Sequence, residues 1–448
     1  MINELTSAIN NILCSDIPIE LVQLPRKNLI QIFTELGLQD KVDLLKFWHE
    51  NTITCIKCDG VIDYTYEPHS LDKNRLKIFE IRKFYQGFLL RFPNLTSPNK
   101  IDEYKEPKLL HQMITEYNEW VTLFGIDTVP KLNEIVFSKK IDQLKFVAES
   151  LHEKKLFEIA DKLCSNFSNK RIISIAGPSS SNKTTFAKRL ALSLKSNGFS
   201  SLVIEMDDFF HNLEDIPHEP GEECDWESIE CLNVKLIGER VNQMLLGETV
   251  PRRKYDWTNG VSYDDPHETM RLEPNSFLIL EGIHGLNPQL LNVLGKERVT
   301  PIYVQALSPL KVDLNHRFPC SDLRLIRRLI RDYLFRGSYP PRATLERWTS
   351  VRLGEMNNIF PYQEKAEIFF NSSLFYEVPV LGTIGKGLLM EASLPPEDEN
   401  PESPVAIEAN NDALRLLKLI SFFHPLTTEI VPHISCICEF IGGSDLKY

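Results

Sequence analysis

The chain has little positive charge and no long apolar run. Its 448 residues include 50 lysines and arginines against 62 aspartates and glutamates, for a net charge of −12. An acidic protein lacks the basic face that binding along a DNA backbone requires, so we expect no DNA partner. No apolar stretch approaches the ~18 residues that span a bilayer, and the first residues lack a basic-then-apolar signal pattern. We therefore expect a cytoplasmic protein that does not interact with membranes.

Cysteine is also sparse. Nine cysteines are spread over the whole length without a dense framework, which in a cytoplasmic chain is typical of reduced thiols. Cys55 and Cys58 form a lone CxxC, and Cys436 and Cys438 follow His433. A zinc site would require these two ends of the chain to meet, and lone pairs seldom supply four ligands. Buried thiols are the favoured interpretation.

The texture of the sequence changes along the chain and divides it into five parts. The first carries helical periodicity and a candidate strand pair around "KFYQGFLL", which predict an α+β N-terminal domain. A long amphipathic helix, an alternation of strands and helices, a Pro-rich acidic linker and a helical tail follow. The expected boundaries are 1–145, 146–170, 171–392, 393–408 and 409–448.

The third part alternates apolar strands with amphipathic helices. Its candidate strands are "IISIA", "SLVIEM", "FLILEG" and "PIYVQAL", beginning at Ile172, Ser201, Phe277 and Pro301. Continuous apolar runs of this length are typical of parallel strands that are buried on both faces. The alternation predicts an α/β fold, a doubly wound parallel sheet with helices on both faces.

The loop after the first of these strands resembles the phosphate-binding pattern G-x-x-x-x-G-K-[ST], with one substitution. Asn182 stands where the second glycine is customary, at a backbone position that tends toward positive φ. Asparagine visits that conformation more readily than other non-glycine residues, so the loop can still fold its amides around phosphates. The alternative is a serine-rich turn, but strand, loop and helix follow one another as a P-loop requires. The predicted nucleotide-holding residues are Gly177, Pro178, Ser179, Ser180, Ser181, Asn182, Lys183, Thr184 and Thr185.

Chemistry is expected at the carboxyl ends of the neighbouring strands. Lys183 would reach the β- and γ-phosphates of ATP, and the Thr184 hydroxyl would hold Mg²⁺. Asp207 follows the second strand, where a carboxylate could take the proton of an attacking hydroxyl. Glu281 ends the next strand, where it could order Mg²⁺ or its water. In the alternative reading of this region, Asp208 only caps a turn and Glu281 is structural.

An arginine-rich stretch, "DLRLIRRLIRDYLFRG" (Asp322 to Gly337), is predicted to be helical. A solvated basic face is the usual explanation of such a run. In an acidic protein, guanidinium groups that suit phosphate oxygens also indicate a lid that closes over ATP. Both interpretations stay open at this point, with the lid favoured.

Together these motifs resemble the uridine kinase and phosphoribulokinase family of P-loop kinases. The resemblance rests on "GPSSSNKTTFAKRL", "MDDFF", "YDW", "LILEGIHGLNP" and "RRLIRDYLFRG", in that order, over about residues 171–381. A subgroup of this family carries an N-terminal region similar to part of threonyl-tRNA synthetase. This chain resembles that subgroup in "GFLLRFP", "SLHEKKLFEIAD", "WTSVRLGE" and "EFIGGS".

The resemblance implies transfer of the γ-phosphate of ATP, with Mg²⁺, to the 5′-hydroxyl of uridine or cytidine in pyrimidine salvage. Asp207 matches the family's catalytic base, and Glu281 matches the acid near Mg²⁺. The remaining matches concern the substrate and the lid: Asp225 on the ribose hydroxyls, Tyr255 beside the base, Arg328 on the ribose side, and Arg331 and Arg336 facing the triphosphate.

The sequence departs from the family pattern where the base is recognised. The histidine expected five residues after the tyrosine is Gly260, a lid arginine is replaced by Ser338, and Phe210 stands in place of a tyrosine. Two alternatives to a uridine kinase therefore stay open. One is a P-loop kinase for another nucleoside or a small sugar or alcohol, and the other is a non-catalytic nucleotide-binding regulatory protein. A homo-oligomer is compatible with the sequence, which does not indicate one.

Overall fold

A computed structural model of the chain describes residues 1–66, 71–94, 97–217, 225–337, 339–394 and 403–447. Its contacts divide the chain into two compact units, Met1–Pro107 and Lys108–Tyr448. No helix within the described ranges is both long and apolar enough to cross a bilayer.

The first unit is a small α+β domain, as predicted. A three-stranded antiparallel sheet of order β1-β2-β3 and a hairpin of β4 and β5 accompany three helices. The sheet and the helices enclose a core around Phe33, Trp48 and Tyr64, each of which is at most 2% exposed. The elements are α1 (Ile2–Cys14), β1 (Ile19–Pro25), α2 (Arg26–Glu35), α3 (Gln39–Leu45), β2 (Thr52–Cys58), β3 (Val61–Tyr64), β4 (Glu80–Phe84) and β5 (Gly87–Arg91).

The second unit is built on a five-stranded parallel sheet of order β12-β11-β6-β10-β7. The central strand β6 (Ile172–Ala176) lies between β10 (Ser276–Glu281) and β11 (Val299–Gln305), with β7 (Ser200–Glu205) and β12 (Ile368–Asn371) at the edges. The four strands predicted from their apolar runs are all present within one or two residues of the expected positions. The predicted doubly wound α/β fold is confirmed.

Both faces of this sheet are covered, which explains why its strands are apolar throughout. Alternate residues enter different cores: Ile172 and Leu278 pack on one side, and Ile173 and Ile279 on the other. The first core is closed by α8 (Val234–Leu245) and α9 (Pro288–Leu294). The second core is closed by α6 (Ile141–Ser165) and α7 (Lys183–Ser196).

The division into units lies earlier than the boundary expected near residue 145. Helices α4 (Lys108–Phe124) and α5 (Val129–Phe137) precede α6 and belong to the second unit. The Tyr117 hydroxyl, for example, donates to the carbonyl of Asn371 at the end of β12 (3.1 Å). Helix α5 instead contacts the C-terminal part of the second unit, where the Asn133 side chain donates to the Phe422 carbonyl (2.8 Å). Helical periodicity alone reveals neither destination.

The C-terminal part is more helical than expected. Helix α14 (Pro404–Ser421) already begins within the stretch assigned to a linker, and part of that stretch lies outside the described residues. Ser403 caps the helix by accepting a hydrogen bond from the Ala406 amide (3.1 Å), which is the local reason for its start. The helix packs against α13 (Glu377–Ala392), and a short final helix, α15 (Cys438–Ile441), follows.

The remaining elements lie between the strands. A long antiparallel hairpin that the sequence reasoning missed, β8 (Thr249–Asp256) with β9 (Val261–Arg271), follows α8. The arginine-rich helix α10 (Cys320–Arg331) ends earlier than expected and continues as a π-helical turn, Asp332–Arg336. Two helices then precede β12, namely α11 (Pro341–Glu346) and α12 (Trp348–Asn358).

Candidate active site

The nucleotide loop connects β6 to α7 and is packed tightly against the sheet. A Cβ atom at Gly177 would lie 2.1 Å from the carbonyl oxygen of Val304 on β11, so only glycine fits where the loop begins. Ser180, Ser181 and Asn182 are at most 3% exposed. The hydroxyls of the two serines are shielded from solvent and have no hydrogen-bond partner within the described ranges.

Asn182 adopts the backbone conformation that its position requires. Its φ of 67° and ψ of 31° are left-handed, as predicted for the residue that replaces the second glycine, and it occupies the position just before α7. Ser180 is also left-handed, with φ of 59°. Two non-glycine residues in this region store strain that the surroundings must hold.

Two buried arginines of α10 hold the carbonyl side of the loop. Arg324 donates to the Ser179 carbonyl (2.9 Å), and Arg327 donates to the Ser180 carbonyl (3.2 Å). Both side chains are at most 1% exposed. For these two residues both interpretations of the arginine-rich stretch, a solvated basic face and a lid over ATP, are wrong. They are internal braces, meaning buried side chains that support the loop, because α10 is enclosed on several sides.

Each brace is neutralised by a buried carboxylate. Arg324 forms a two-point ion pair with Glu355 of α12, and Arg327 pairs with Glu377 of α13 (2.6 Å). Glu355 also accepts a hydrogen bond from the amide of Ser179 (3.2 Å), so it touches the loop directly. Burial of unpaired charges would be prohibitively costly, which explains the pairing.

The predicted metal-side residues are in contact. The Thr184 hydroxyl at the first turn of α7 donates to Oε1 of Glu281 at the end of β10 (2.7 Å). Burial raises the pKa of Glu281 to about 7, against the opposing effects of the Lys183 ammonium and the Thr184 hydrogen bond. The structure therefore brings together a hydroxyl, a carboxylate and a cation at the mouth of the loop.

Asp207 lies beside this group. It follows β7 in the short 3₁₀ turn Met206–Phe209, is solvent-exposed, and its charge contributes to the raised pKa of Glu281. Its neighbour Asp208 is more enclosed. Burial raises the pKa of Asp208 to about 6, with Glu205 adding to the rise and the backbone amide of Tyr255 opposing it.

The sequence reasoning missed Glu227, which lies in this cluster. Burial raises its pKa to about 7 and Glu355 adds to the rise, whereas the cations of Arg328 and Lys183 oppose it. Its Oε2 atom is shielded from solvent and accepts no hydrogen bond from the described residues. No phosphate-binding sequence pattern includes Glu227. The one available sequence signal was its position two residues after Asp225.

Asp225 and Tyr255 differ sharply in exposure. Asp225 is exposed and accepts a hydrogen bond from the Glu227 amide (3.1 Å), which forms a turn. Tyr255 is 8% exposed and belongs to a cluster of four aromatic rings in mutual contact, with centroids 4.8 to 6.5 Å apart. The other three rings are Phe210, Trp226 and Trp257. Phe210 and Tyr255 are buried in this cluster, whereas Trp257 is 61% exposed.

Gly260 has no room for a side chain. Its φ is +67°, and a Cβ atom there would lie 2.9 Å from Cβ of Leu213. The Leu213 amide donates to the Gly260 carbonyl (2.8 Å), which fixes this approach. The position at which the resemblance led us to expect a histidine is therefore closed to a side chain by backbone conformation and packing together.

The three arginines matched to the substrate and the lid lie at the end of α10 and beyond. Arg328 donates to the Ser179 hydroxyl (2.9 Å) and pairs with Asp332 (3.3 Å), so it contacts the nucleotide loop. Arg331 also pairs with Asp332 (2.9 Å). Arg336 closes the π-helical turn, and its side chain lies outside the described part of the structure, as does Ser338.

The donor set fits ATP and Mg²⁺. The enclosed serine hydroxyls, Lys183 and the start of α7 suit phosphate oxygens. Among the described residues no three His, Cys, Asp or Glu side chains form a metal cage. Mg²⁺ needs no such cage in kinases, since it takes one or two protein oxygens and completes its shell with phosphates and water. Thr184 and Glu281 would hold it here.

Comparisons with known proteins agree with this arrangement. Residues 172–374 match the model of the Phosphoribulokinase / Uridine kinase family. A uridine kinase from Anoxybacillus flavithermus is 29% identical over 199 residues, which cover 44% of this chain and 83% of that protein. A uridine kinase from Macrococcus caseolyticus is 27% identical over 197 residues, which cover 44% of this chain and 85% of that protein.

The overlap with solved structures is partial. A putative fructose transport system kinase from Silicibacter sp. TM1040 aligns with a TM-score of 0.36 and 16% identity, over 48% of this chain and 98% of that one. A possible uridine kinase from Bacillus stearothermophilus aligns with a TM-score of 0.31 and 17% identity, over 47% of this chain and 97% of that one. By its own sheet and loop the region from residue 172 to residue 374 has a P-loop kinase fold, and its sequence is similar to the Phosphoribulokinase / Uridine kinase family.

Proposed function

We propose that this chain is an ATP-dependent kinase that phosphorylates the 5′-hydroxyl of uridine or cytidine, as in pyrimidine salvage. The observation that carries the proposal is the contact of Thr184 with Glu281 at the mouth of the nucleotide loop, with Asp207 alongside. A domain that only sensed nucleotides would have no need of a carboxylate placed to accept a proton.

In the proposed reaction the acceptor oxygen forms a bond to the γ-phosphorus of ATP, and the bond between that phosphorus and the β–γ bridging oxygen breaks to release ADP. Asp207 takes the proton of the acceptor hydroxyl. Lys183, with Arg331 and Arg336, neutralises charge on the transferred group, as electrostatic catalysis of phosphoryl transfer requires. Mg²⁺, when bound, supplies further neutralisation of the phosphates.

Acceptor binding is assigned to Asp225, Tyr255 and Arg328, to which we add Glu227. Its enclosed Oε2 atom accepts no hydrogen bond from the part of the chain that the structure describes, and a sugar hydroxyl would donate one. Trp257, which is 61% exposed and packs on Tyr255, offers an apolar ring face for a base.

A second candidate is a kinase for another nucleoside or for a small sugar or alcohol. The closed position at Gly260 favours it, because no side chain there can read the edge of a pyrimidine. Stacking on the aromatic cluster would bind a base without distinguishing its polar edge. The choice between the candidates therefore depends on the acceptor alone.

The test is an ADP-release screen of the purified full chain with Mg²⁺ and ATP across nucleosides, sugars and sugar phosphates. Lys183→Ala serves as the blank, because it removes the cation assigned to the phosphates, and its unfolding midpoint is compared with that of wild type. Turnover of uridine or cytidine above all other acceptors supports the first candidate, and preference for another acceptor supports the second. ATP binding without phosphate transfer to any acceptor would contradict both candidates and support a non-catalytic nucleotide-binding regulatory protein.

The likeness of the N-terminal region to part of threonyl-tRNA synthetase stays a prediction, as does a cytoplasmic location. A tRNA-binding assay of the full chain would test the former. Size-exclusion chromatography with light scattering would establish whether the kinase is a homo-oligomer.

A further inference from the structure

The last residues of the chain pack against the nucleotide loop. The segment Ser435–Gly443, here called the C-terminal strut, includes α15 and lies beyond the region that matches the kinase family. Ser435, Ile437 and Phe440 are completely buried. This segment is therefore an integral part of the second unit and not a loose tail.

Asn182 is the residue through which the strut reaches the loop. Its side-chain amide donates to the Cys436 carbonyl (2.9 Å) and to Oε2 of Glu439 (3.0 Å). The hydroxyl of Thr185, which is completely buried, donates to the same Glu439 oxygen. Glycine at position 182 could make neither of the amide contacts.

A second connection runs from the strut to the loop through a buried brace. Arg327 donates to the Ser180 carbonyl (3.2 Å) and to the Ser372 carbonyl (3.1 Å), and Cys436 donates its thiol to that second carbonyl (3.4 Å). The ring of Phe440 lies 5.0 Å from the Arg327 guanidinium. Both left-handed loop residues are thus tied to the strut, Asn182 directly and Ser180 through Arg327.

These contacts bear on nucleotide affinity because strained backbone persists only where its surroundings hold it. A loop that relaxes from its binding conformation binds ligand more weakly, in proportion to the fraction of molecules still competent. The strut acts on the side of the loop that packs against α6 and β12. Asn182 and Thr185 line a small cavity there with His152 and Phe370. The Glu439 side chain that contacts both residues is half-buried.

We propose that the C-terminal strut holds the nucleotide loop in its binding conformation, with Asn182 and Glu439 as positioning residues. The asparagine at the customary glycine is in this view an attachment point and not a degraded motif. The inference rests on the proposed function in one respect only, that the loop binds ATP.

The test measures the binding of a non-hydrolysable ATP analogue, adenylyl imidodiphosphate, with Mg²⁺ by isothermal titration calorimetry on the full chain without acceptor. Glu439→Ala is expected to raise Kd about ten-fold, equivalent to about 1.4 kcal/mol. Glu439→Gln keeps an accepting oxygen and should stay within about three-fold of wild type. The matched control is Glu429→Ala, which removes an exposed carboxylate from the same part of the chain.

A double-mutant cycle separates the strut from a general loss of stability. In an Asn182→Gly background, Glu439→Ala should change Kd by about three-fold at most, because one of its two partners is already absent. The unfolding midpoint of each nucleotide-free variant is measured in parallel. A lowered midpoint with an unchanged Kd in Glu439→Ala overturns the strut and leaves the proposed function intact. A wild-type chain that binds no nucleotide overturns both.

Discussion

The buried ion pair beneath the nucleotide loop makes the sharpest stability prediction. Arg324 and Glu355 are 1% and 0% exposed, and one of their two hydrogen bonds measures 2.8 Å. At that distance and an effective dielectric constant of about 20, the gross attraction is about 6 kcal/mol. Desolvation offsets much of it, but Glu355→Ala would leave a buried guanidinium without its counter-charge. We expect a loss of about 3–5 kcal/mol of unfolding free energy.

The assay is urea unfolding of the full chain followed by tryptophan fluorescence. Trp348 reports directly, because its ring lies 5.4 Å from the Arg324 guanidinium. The matched control is Arg352→Ala, which removes the outer partner of the same carboxylate (2.9 Å) at a site that is 33% exposed. It should cost about 1 kcal/mol or less.

Replacing both charges distinguishes the ion pair from simple packing. The double variant Arg324→Leu with Glu355→Leu should regain part of the lost stability, because neither buried charge then lacks a partner. It should not regain nucleotide binding, since the carbonyl and amide of Ser179 lose both of their contacts. A loss below about 1 kcal/mol in Glu355→Ala would refute this account of the brace.

Three further predictions concern single residues. Burial raises the pKa of the Glu281 carboxyl to about 7. Between about pH 4.5 and pH 7 the folded state therefore holds a proton that the unfolded state has lost, and the free energy of unfolding falls as pH rises through that window. Glu281→Gln should remove that part of the pH dependence and stabilise the chain at pH 8 by on the order of 3 kcal/mol, which thermal unfolding at a series of pH values will show. The same variant should reduce turnover in the ADP-release assay. Asp207→Asn should lower kcat by about 10²–10⁴-fold at an unchanged unfolding midpoint, and full activity would exclude it as the base. Gly260→Ala should destabilise the chain by about 1–3 kcal/mol more than the control Gly247→Ala. Gly247 also has a positive φ but has open space where a Cβ atom would lie. Equal losses of unfolding free energy in urea would contradict the proposed clash with Leu213.

Four of the five strands of the parallel sheet and the backbone conformation of Asn182 could be predicted from the sequence, for identifiable physical reasons, whereas the short edge strand β12 was missed. Strands buried on both faces leave continuous apolar runs, and the run from Ile172 to Ala176 is a strand over its full length. The left-handed conformation of Asn182 was likewise predictable, because its position in the loop and its residue type point to the same region of φ and ψ.

What could not be predicted depends on long-range packing. Nothing in the pattern around Arg324 or Arg327 distinguishes an internal brace from a lid residue, because their partners Glu355 and Glu377 are far away in sequence. Glu227 was missed for the same reason: its raised pKa arises from enclosure by elements that lie before and after it in the chain.

The contacts that support the nucleotide loop therefore extend beyond the end of the family match. The match stops at residue 374, yet Glu377 pairs with Arg327, and Cys436 and Glu439 accept from Asn182. A glycine-rich loop needs little support, because glycine adopts positive φ without strain. A loop that uses Asn182 instead requires external contacts, and these come from residues that a comparison of kinase domains alone would discard. Any shortened version of this chain that ends before Cys436 would leave the buried amide of Asn182 without its acceptors, so nucleotide binding should be measured on the full length.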